Sequence, residues 1–160
     1  MERIFDDFHA LVFRTAYRIT GNAADAEDVL QQVFLRIVKR SSTEPIENPE
    51  AYLRRAAINV SLDVVRARQG IHTVPLETSR AGPADQPELR ESLRRAMASL
   101  PQQAAEVFAL RYLEGFTNPE IARLLGLSKV HVAVLLFRTR KQLQKKFVAQ
   151  ASACPGLPKE

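Results

Sequence analysis

Residues 117–141, TNPEIARLLGLSKVHVAVLLFRTRK, decide the fold class of the second half of this 160-residue chain. The stretch opens with a capping box, in which the Thr117 side chain can cap a helix and Glu120 can reach back to the backbone of Thr117. Pro119 suits the first turn of that helix, where a missing N–H costs nothing. A helix is therefore predicted to begin here.

The spacing of three residues further along predicts a helix-turn-helix. Ala122 is small enough for a close helix contact, Gly126 suits the turn, and Val132 can bury a branched side chain in the second helix. Ser128 can cap this second helix, which is predicted over 129–149. Such a helix has the size to lie in the major groove of DNA with its first residues facing the base edges.

Charge supports a nucleic-acid partner. The chain has 23 Lys+Arg and 18 Asp+Glu, which gives a formal net charge of +5. The net charge of its first 70 residues is zero. The charged residues between positions 128 and 159 are all basic: Lys129, Arg138, Arg140, Lys141, Lys145, Lys146 and Lys159. A helix with charges of one sign suits phosphate binding, although a basic helix end also complements its own dipole. Because the basic run coincides with the helix-turn-helix pattern, we favour nucleic-acid binding.

The run 132–137, VAVLLF, is at odds with a polar recognition helix. One helix cannot bury every side, so some of Val134, Leu135 and Phe137 must face DNA, another subunit or water. Contact with thymine methyl groups is one outcome. A face used for protein contact is the other.

The chain as a whole is predicted to be all-α, because apolar residues recur at helical spacing along most of its length. Helices are predicted over 4–19, 25–40, 50–69, 88–99, 102–113, 118–125 and 129–149. Residues 70–87 contain three prolines and two glycines, which predicts a flexible linker between two small helical domains, 1–69 and 88–149. Residues 150–160 are predicted to be a disordered tail.

Several classes of protein are excluded by composition. Cys154 is the single cysteine, and His9, His72 and His131 lie far apart, so no disulfide, metal or cofactor is expected. The acidic N-terminus lacks the basic start of a signal peptide, and no apolar run approaches the ~20 residues of a membrane span. No phosphate-binding loop or nucleophile elbow is present. We expect a cytoplasmic or nuclear protein that has no catalysis of its own and no membrane insertion.

Three segments together resemble the extracytoplasmic-function (ECF) type of the sigma-70 family of bacterial RNA polymerase sigma factors. Residues 25–35, DAEDVLQQVFL, resemble the region 2 helix that docks on the polymerase clamp. Residues 48–53, NPEAYL, together with Asn59, Asp63 and Arg66, resemble the next helix, which reads and holds open the minus-ten element. Residues 100–108 and 114–122, LPQQAAEVF and EGFTNPEIA, resemble region 4, which binds the minus-thirty-five element. The resemblance covers the chain from about Phe5 to Phe147.

The resemblance implies three sets of site residues. Core polymerase would bind Asp25, Asp28, Gln31, Phe34 and Leu35. The minus-ten DNA would meet Tyr52, Arg54, Arg55, Asn59, Arg66 and Arg68. The minus-thirty-five DNA would meet Thr117, Ser128, Lys129, His131, Phe137, Arg138, Arg140 and Lys141. The implied partners are core RNA polymerase, promoter DNA and an anti-sigma protein.

The chemistry of these residues is compatible with those roles. Acidic side chains on an exposed face of the helix 25–40 offer acceptors to a basic protein surface. The same side chains also complement the helix dipole. Phe34 is as well suited to burial in the core as to contact with polymerase. Arginines can track phosphates while Asn59 or Tyr52 meets an unstacked base. Each arginine also suits a solvated helix face. Asp63 is expected to be a structural acceptor for a neighbouring arginine.

The chain departs from the family pattern at two places. The family commonly has Thr-Val-Lys-Ser-Arg where residues 131–135 read HVAVL, so three polar or basic positions are apolar. Tyr52 stands where tryptophan is common.

Two other functions stay open. One is a stand-alone DNA-binding regulator, which leaves the acidic segment 25–35 unexplained, and the other is a protein-interaction module that uses the face 132–137.

Overall fold

The computed structural model describes residues 2–40, 45–71 and 86–152, and every regular element in these ranges is helical. The α-helices are α1 (Glu2–Thr20), α2 (Ala23–Lys39), α3 (Pro49–Ile71), α4 (Gln86–Ala98), α5 (Gln102–Phe108), α6 (Asn118–Leu125) and α7 (Lys129–Ser152). A π-helical segment, Ala109–Leu113, follows α5 directly. The predicted all-α fold class is confirmed. Within the described ranges, no helix is long and apolar enough to cross a membrane.

The first domain consists of α1, α2 and α3. Its core contains Val12, Val29, Val33 and Leu53, which are all fully buried. Each helix buries a stripe of residues spaced three or four apart against the other two helices. Gly21 ends α1 with a φ of 77°, a left-handed conformation that glycine adopts without strain.

The second domain consists of α4 to α7, and α6 with α7 forms the helix-turn-helix. The Thr117 N–H donates to the Glu120 carboxylate over 2.7 Å, and the Thr117 hydroxyl accepts from the Glu120 N–H over 3.4 Å. Gly126 makes the turn at a φ of 66°. At the start of α7, Ser128 Oγ accepts from the His131 N–H over 3.1 Å. These contacts confirm the predicted helix-turn-helix and both of its caps.

The two domains meet in a second apolar core, to which α3 contributes. Ile58 and Leu62 are buried together with Val65, and the three pack in the same cluster as Leu110 of the second domain. They are spaced four and three apart, so they form a second apolar stripe on α3 beside the one that packs in the first domain. The second domain is therefore held against α3.

The ends of the predicted linker differ from the structure. α3 continues to Ile71 and α4 begins at Gln86, so the first and last residues of the predicted linker 70–87 are helical. Pro87 is tolerated because the first turn of a helix needs no N–H from it. Residues 72–85, the rest of the predicted linker, lie outside the described ranges.

Two other boundaries also differ. The predicted helix 102–113 is an α-helix only as far as Phe108 and continues as the π-helical segment. α7 extends to Ser152, so the expectation that the tail 150–160 is disordered from its first residue is wrong. Alanine and glutamine at 149–151 are good helix formers that continue the helix. Residues 153–160 lie outside the described ranges.

The capping box predicts an acid-sensitive helix start. Hydrogen bonds from Thr117, first from its backbone N–H and then through its side chain, lower the pKa of the Glu120 carboxyl below its ordinary value. A carboxyl with a lowered folded pKa stabilises the fold above its unfolded pKa, and this stabilisation is lost as the pH falls through the folded pKa. We expect Glu120→Gln to lower the thermal unfolding midpoint at neutral pH, with the gap to wild type closing below pH 4.5.

Circular dichroism melts at a series of pH values measure this gap. Glu88→Gln, at an exposed position in the first turn of α4, is the matched control and should produce a smaller gap. A gap for Glu120→Gln that stays constant down to the lowest pH would contradict the prediction.

Candidate nucleic-acid interface

The α3 polar face, formed by Arg54, Arg55, Asn59 and Arg66, lies against the second domain. Arg54 Nη1 donates to Glu114 Oε2 over 2.5 Å. From the other side, Arg18 Nη1 of α1 donates to Glu114 Oε1 over 3.0 Å. The Glu114 side chain is only 1% exposed, so its carboxylate is buried between two cations.

A second buried carboxylate belongs to Glu106 of α5. Arg55 Nε donates to Glu106 Oε1 over 2.6 Å, and Asn59 Nδ2 donates to the same oxygen over 3.3 Å. The Glu106 side chain is 5% exposed. Because a buried carboxylate without partners is costly, these donors hold α5 against α3.

The end of α4 and the start of α5 engage the rest of the α3 polar face. Arg66 Nε donates to the Ala98 carbonyl over 3.0 Å and Nη2 to the Leu100 carbonyl over 3.1 Å. Arg66 Nη1 also donates to the Gln102 side chain, whose Nε2 donates to Asn59 Oδ1 over 2.6 Å. The Arg66 guanidinium therefore satisfies carbonyls that the end of α4 leaves without helical partners.

The structure thus gathers four of the six residues predicted to meet minus-ten DNA on one surface and packs the second domain against it, with the Arg55 side chain still 47% exposed. The other two lie apart from it. Arg68 Nη2 donates to Asp25 Oδ1 over 2.6 Å, and the partly buried ring of Tyr52 lies under the Arg40 guanidinium, 5.3 Å from Cζ to the ring centroid. Asp63 Oδ1 lies 3.8 Å from Arg66 Nη1, which is within ion-pair range but too long for a hydrogen bond.

Sequence reasoning missed Glu106, Glu114 and Gln102 as partners of the α3 polar face. A signal was present for Glu106, the carboxylate in the otherwise apolar stretch 104–110, AAEVFAL. A carboxylate at a buried helical position needs a cation or several donors. Ile58, Leu62 and Val65, at helical spacing on α3, gave the matching signal for a second packing surface.

The residues predicted to bind polymerase lie on α2. Asp28, Gln31 and Leu35 are exposed and follow one another at three and four positions along the same side of the helix. Phe34 is partly buried and meets Phe5 edge-on, with 4.9 Å between ring centroids. α2 therefore presents acceptors and an exposed apolar side chain together.

The expectation that Asp25 stands on this exposed face is wrong, because the residue is 6% exposed. Its carboxylate accepts from Asn22 Nδ2 over 2.8 Å and from Arg68 over 2.6 Å. Its N–H donates to Asn22 Oδ1 over 2.8 Å. Asp25 therefore secures the start of α2 to the end of α3.

The residues predicted to meet minus-thirty-five DNA lie along the helix-turn-helix. Six of them are exposed along α7: Lys129, His131, Phe137, Arg138, Arg140 and Lys141. Thr117 and Ser128 are exposed too, while their side chains cap α6 and α7. In the part of the chain that the structure describes, no group of three His, Cys, Asp or Glu residues could hold a metal ion.

Two family models match the chain. The sigma-70 region 2 model matches residues 4–71, and the sigma-70 region 4 model matches residues 90–143. The ECF RNA polymerase sigma factor SigE of Mycolicibacterium smegmatis is 32% identical over 152 residues, covering 88% of this chain and 59% of the SigE length. The RNA polymerase sigma-E factor of Streptomyces coelicolor is 31% identical over 154 residues, covering 93% of this chain and 86% of that protein.

A solved structure shares the fold. It is the sigma factor RpoE of Bartonella quintana in complex with the anti-sigma factor NepR, with a TM-score of 0.52 and 21% identity. The match covers 91% of this chain and 95% of that chain.

The two buried carboxylates predict that charge controls the packing of the domains. Glu106→Gln/Glu114→Gln preserves side-chain shape but removes both negative charges from the arginines of α3. We expect small-angle X-ray scattering to give a larger radius of gyration for this variant than for wild type, with unchanged helix content by circular dichroism.

Glu27→Gln/Glu88→Gln is the matched control, because it removes the same charge from two exposed positions. It should leave the radius of gyration unchanged. Equal values for wild type and for Glu106→Gln/Glu114→Gln would show that the apolar core alone holds the domains together.

Proposed function

This chain belongs to the sigma-70 family as an ECF-type sigma factor, and we propose that it binds core RNA polymerase and directs it to promoter DNA. The observation that carries the proposal is that a region 2 model and a region 4 model each match one of the two helical units, over 4–71 and 90–143. In this proposal the chain itself catalyses no reaction. Its place of action is the cytoplasm, where polymerase meets DNA.

The polymerase-binding surface of the proposal is the exposed side of α2. Asp28 and Gln31 offer acceptors to a basic partner surface, and Leu35, 55% exposed, adds apolar contact area. Phe34 supports this surface from beside Phe5. Asp25 contributes indirectly, since its bonds to Asn22 and Arg68 hold the start of α2.

The α3 polar face is the proposed contact for minus-ten DNA. Its arginines can bind the phosphates of a separating duplex, while Asn59, or Tyr52 outside this face, can meet an unstacked base. The same guanidinium groups hold Glu106 and Glu114 in the closed arrangement. DNA phosphates and these carboxylates therefore compete for the same donors, so minus-ten binding requires the second domain to leave α3.

The region 4 unit is the proposed reader of the minus-thirty-five element. α7 presents its cations to phosphates, and the α6–α7 turn sets its angle in the groove. An anti-sigma protein is the proposed regulator. The solved structure that shares this fold is a sigma factor in complex with an anti-sigma factor, and a protein that keeps the α3 polar face covered would silence this chain.

Charge reversal on α2 tests the polymerase contact. Asp28→Arg places a cation against the basic surface expected of the partner, which should weaken binding to core polymerase by on the order of 10-fold or more. Binding is measured by fluorescence anisotropy, and initiation by transcription from a genomic library. Glu88→Arg, an exposed reversal on α4, should bind and initiate as wild type does.

If Asp28→Arg binds core polymerase as tightly as wild type, the α2 contact is excluded. If the wild-type chain binds DNA but never joins polymerase, the stand-alone regulator is the correct reading instead.

Removing the competing carboxylates tests the role of α3. In the absence of polymerase, the Glu106→Gln/Glu114→Gln variant should bind fork DNA on the order of 10-fold more tightly than wild type. The fork carries the minus-ten strand of a promoter selected from the genomic library. Adding Arg54→Ala and Arg55→Ala should remove the gain, because the phosphate ligands are then missing.

Glu27→Gln/Glu88→Gln again supplies the control for net charge alone. A gain of equal size in the control would mean that total charge, and not release of the α3 polar face, governs binding to the fork.

A further inference from the structure

α7 carries apolar side chains on two opposite sides. Val132 and Leu136 are buried in the core of the second domain, whereas Val130, Val134 and Phe137 are 73%, 39% and 52% exposed. A helix turns about 100° per residue, so side chains two positions apart point about 200° apart. The three exposed residues are spaced four and three apart and form a single line, here named the outer stripe.

The outer stripe is surrounded by positive charge. Lys129, Arg138 and Lys141 are exposed, and every charged residue of α7 is basic. Lys141 Nζ lies 4.5 Å from the centroid of the Phe137 ring. A surface that is both apolar and uniformly cationic complements a polyanion that carries apolar groups. Duplex DNA fits this description, whereas a protein would have to bring a matching set of carboxylates.

The stripe stands where base-edge hydrogen bonds would otherwise be made. Ala133 and Val134 have no side-chain donor or acceptor, and Leu135 is partly buried. The N-terminal half of the second helix of a helix-turn-helix enters the major groove. The apolar group that base pairs present there is the thymine 5-methyl group.

We propose that the outer stripe reads thymine methyl groups in the minus-thirty-five element. Val130 and Val134, in the first two turns of α7, contact methyl groups directly, and Phe137 extends the contact by one turn. The flanking cations bind phosphates and set the register. This inference rests on the proposed function, since it takes α7 as the helix that meets this element.

Deoxyuridine tests the proposal because it differs from thymidine only in lacking the methyl group. The full chain, assembled with bacterial core RNA polymerase, first selects promoters from a genomic library. Each thymine of the minus-thirty-five element of one selected promoter is then replaced singly, and affinity is measured by competition. We expect about a 4-fold loss at each contacted methyl group, and no loss at thymines between the two promoter elements.

Val134→Ala supplies the protein side of the test. In this variant the deoxyuridine effect at one thymine should disappear, because that methyl group has lost its partner, while the effects at other thymines persist. Val148→Ala changes an exposed valine near the far end of α7 and should keep every deoxyuridine effect. The DNA substitutions need no change to the protein, so the test stands even if a variant folds poorly.

Holoenzyme that selects promoters but is indifferent to deoxyuridine at every thymine of the element would overturn the proposal and leave the proposed function intact. Weakened binding of Val134→Ala to core polymerase, with all deoxyuridine effects unchanged, would assign the outer stripe to protein contact and overturn it as well. Failure to select any promoter would contradict the proposed function itself. This failure is seen in the first step, before any deoxyuridine is introduced.

Discussion

Glu114 needs two arginines that the chain supplies from different helices. Its carboxylate is almost completely buried, with Arg18 of α1 on one oxygen and Arg54 of α3 on the other. Moving a carboxylate out of water costs several kcal/mol unless cations and donors replace the lost hydration. The second domain can therefore bury this group only while it lies on the first domain. Glu106 places the same condition on α5 through Arg55 and Asn59, so two carboxylates tie the position of the second domain to the α3 polar face.

The parts of the fold that could be predicted are those decided by neighbours in sequence. Thr117 and Glu120 are three residues apart, and the capping box they form involves nothing else, so the helix start and the helix-turn-helix followed from spacing alone. Asp25 shows why the rest could not be predicted in this way. Its position in a first turn is explained by the helix dipole, yet its burial depends on Arg68, 43 residues further along the chain. The partners of the α3 polar face are similarly remote. A carboxylate in an apolar stretch marks Glu106 as needing a cation, but no local pattern identifies the arginine that supplies it.

α3 and α7 each carry apolar residues on two sides of the helix. A helix with apolar residues on two sides has two packing surfaces, and periodicity identifies each stripe without saying what covers it. On α3 the second stripe, Ile58 with Leu62, is covered by the second domain. On α7 the second stripe remains at the surface. The same sequence signal therefore corresponds to an internal contact in one helix and to an exposed face in the other.

The covalent connection through residues 72–85 has a consequence for how this chain meets DNA. A ligand tied by a short chain segment acts at an effective concentration on the order of millimolar. In the proposed function, Glu106 and Glu114 therefore compete with DNA for the arginines of α3 at this effective concentration. In the proposed function, a partner that holds the two domains apart removes this competition without contacting either carboxylate. In the proposed function, the number of residues between α3 and α4 thus becomes a determinant of promoter affinity.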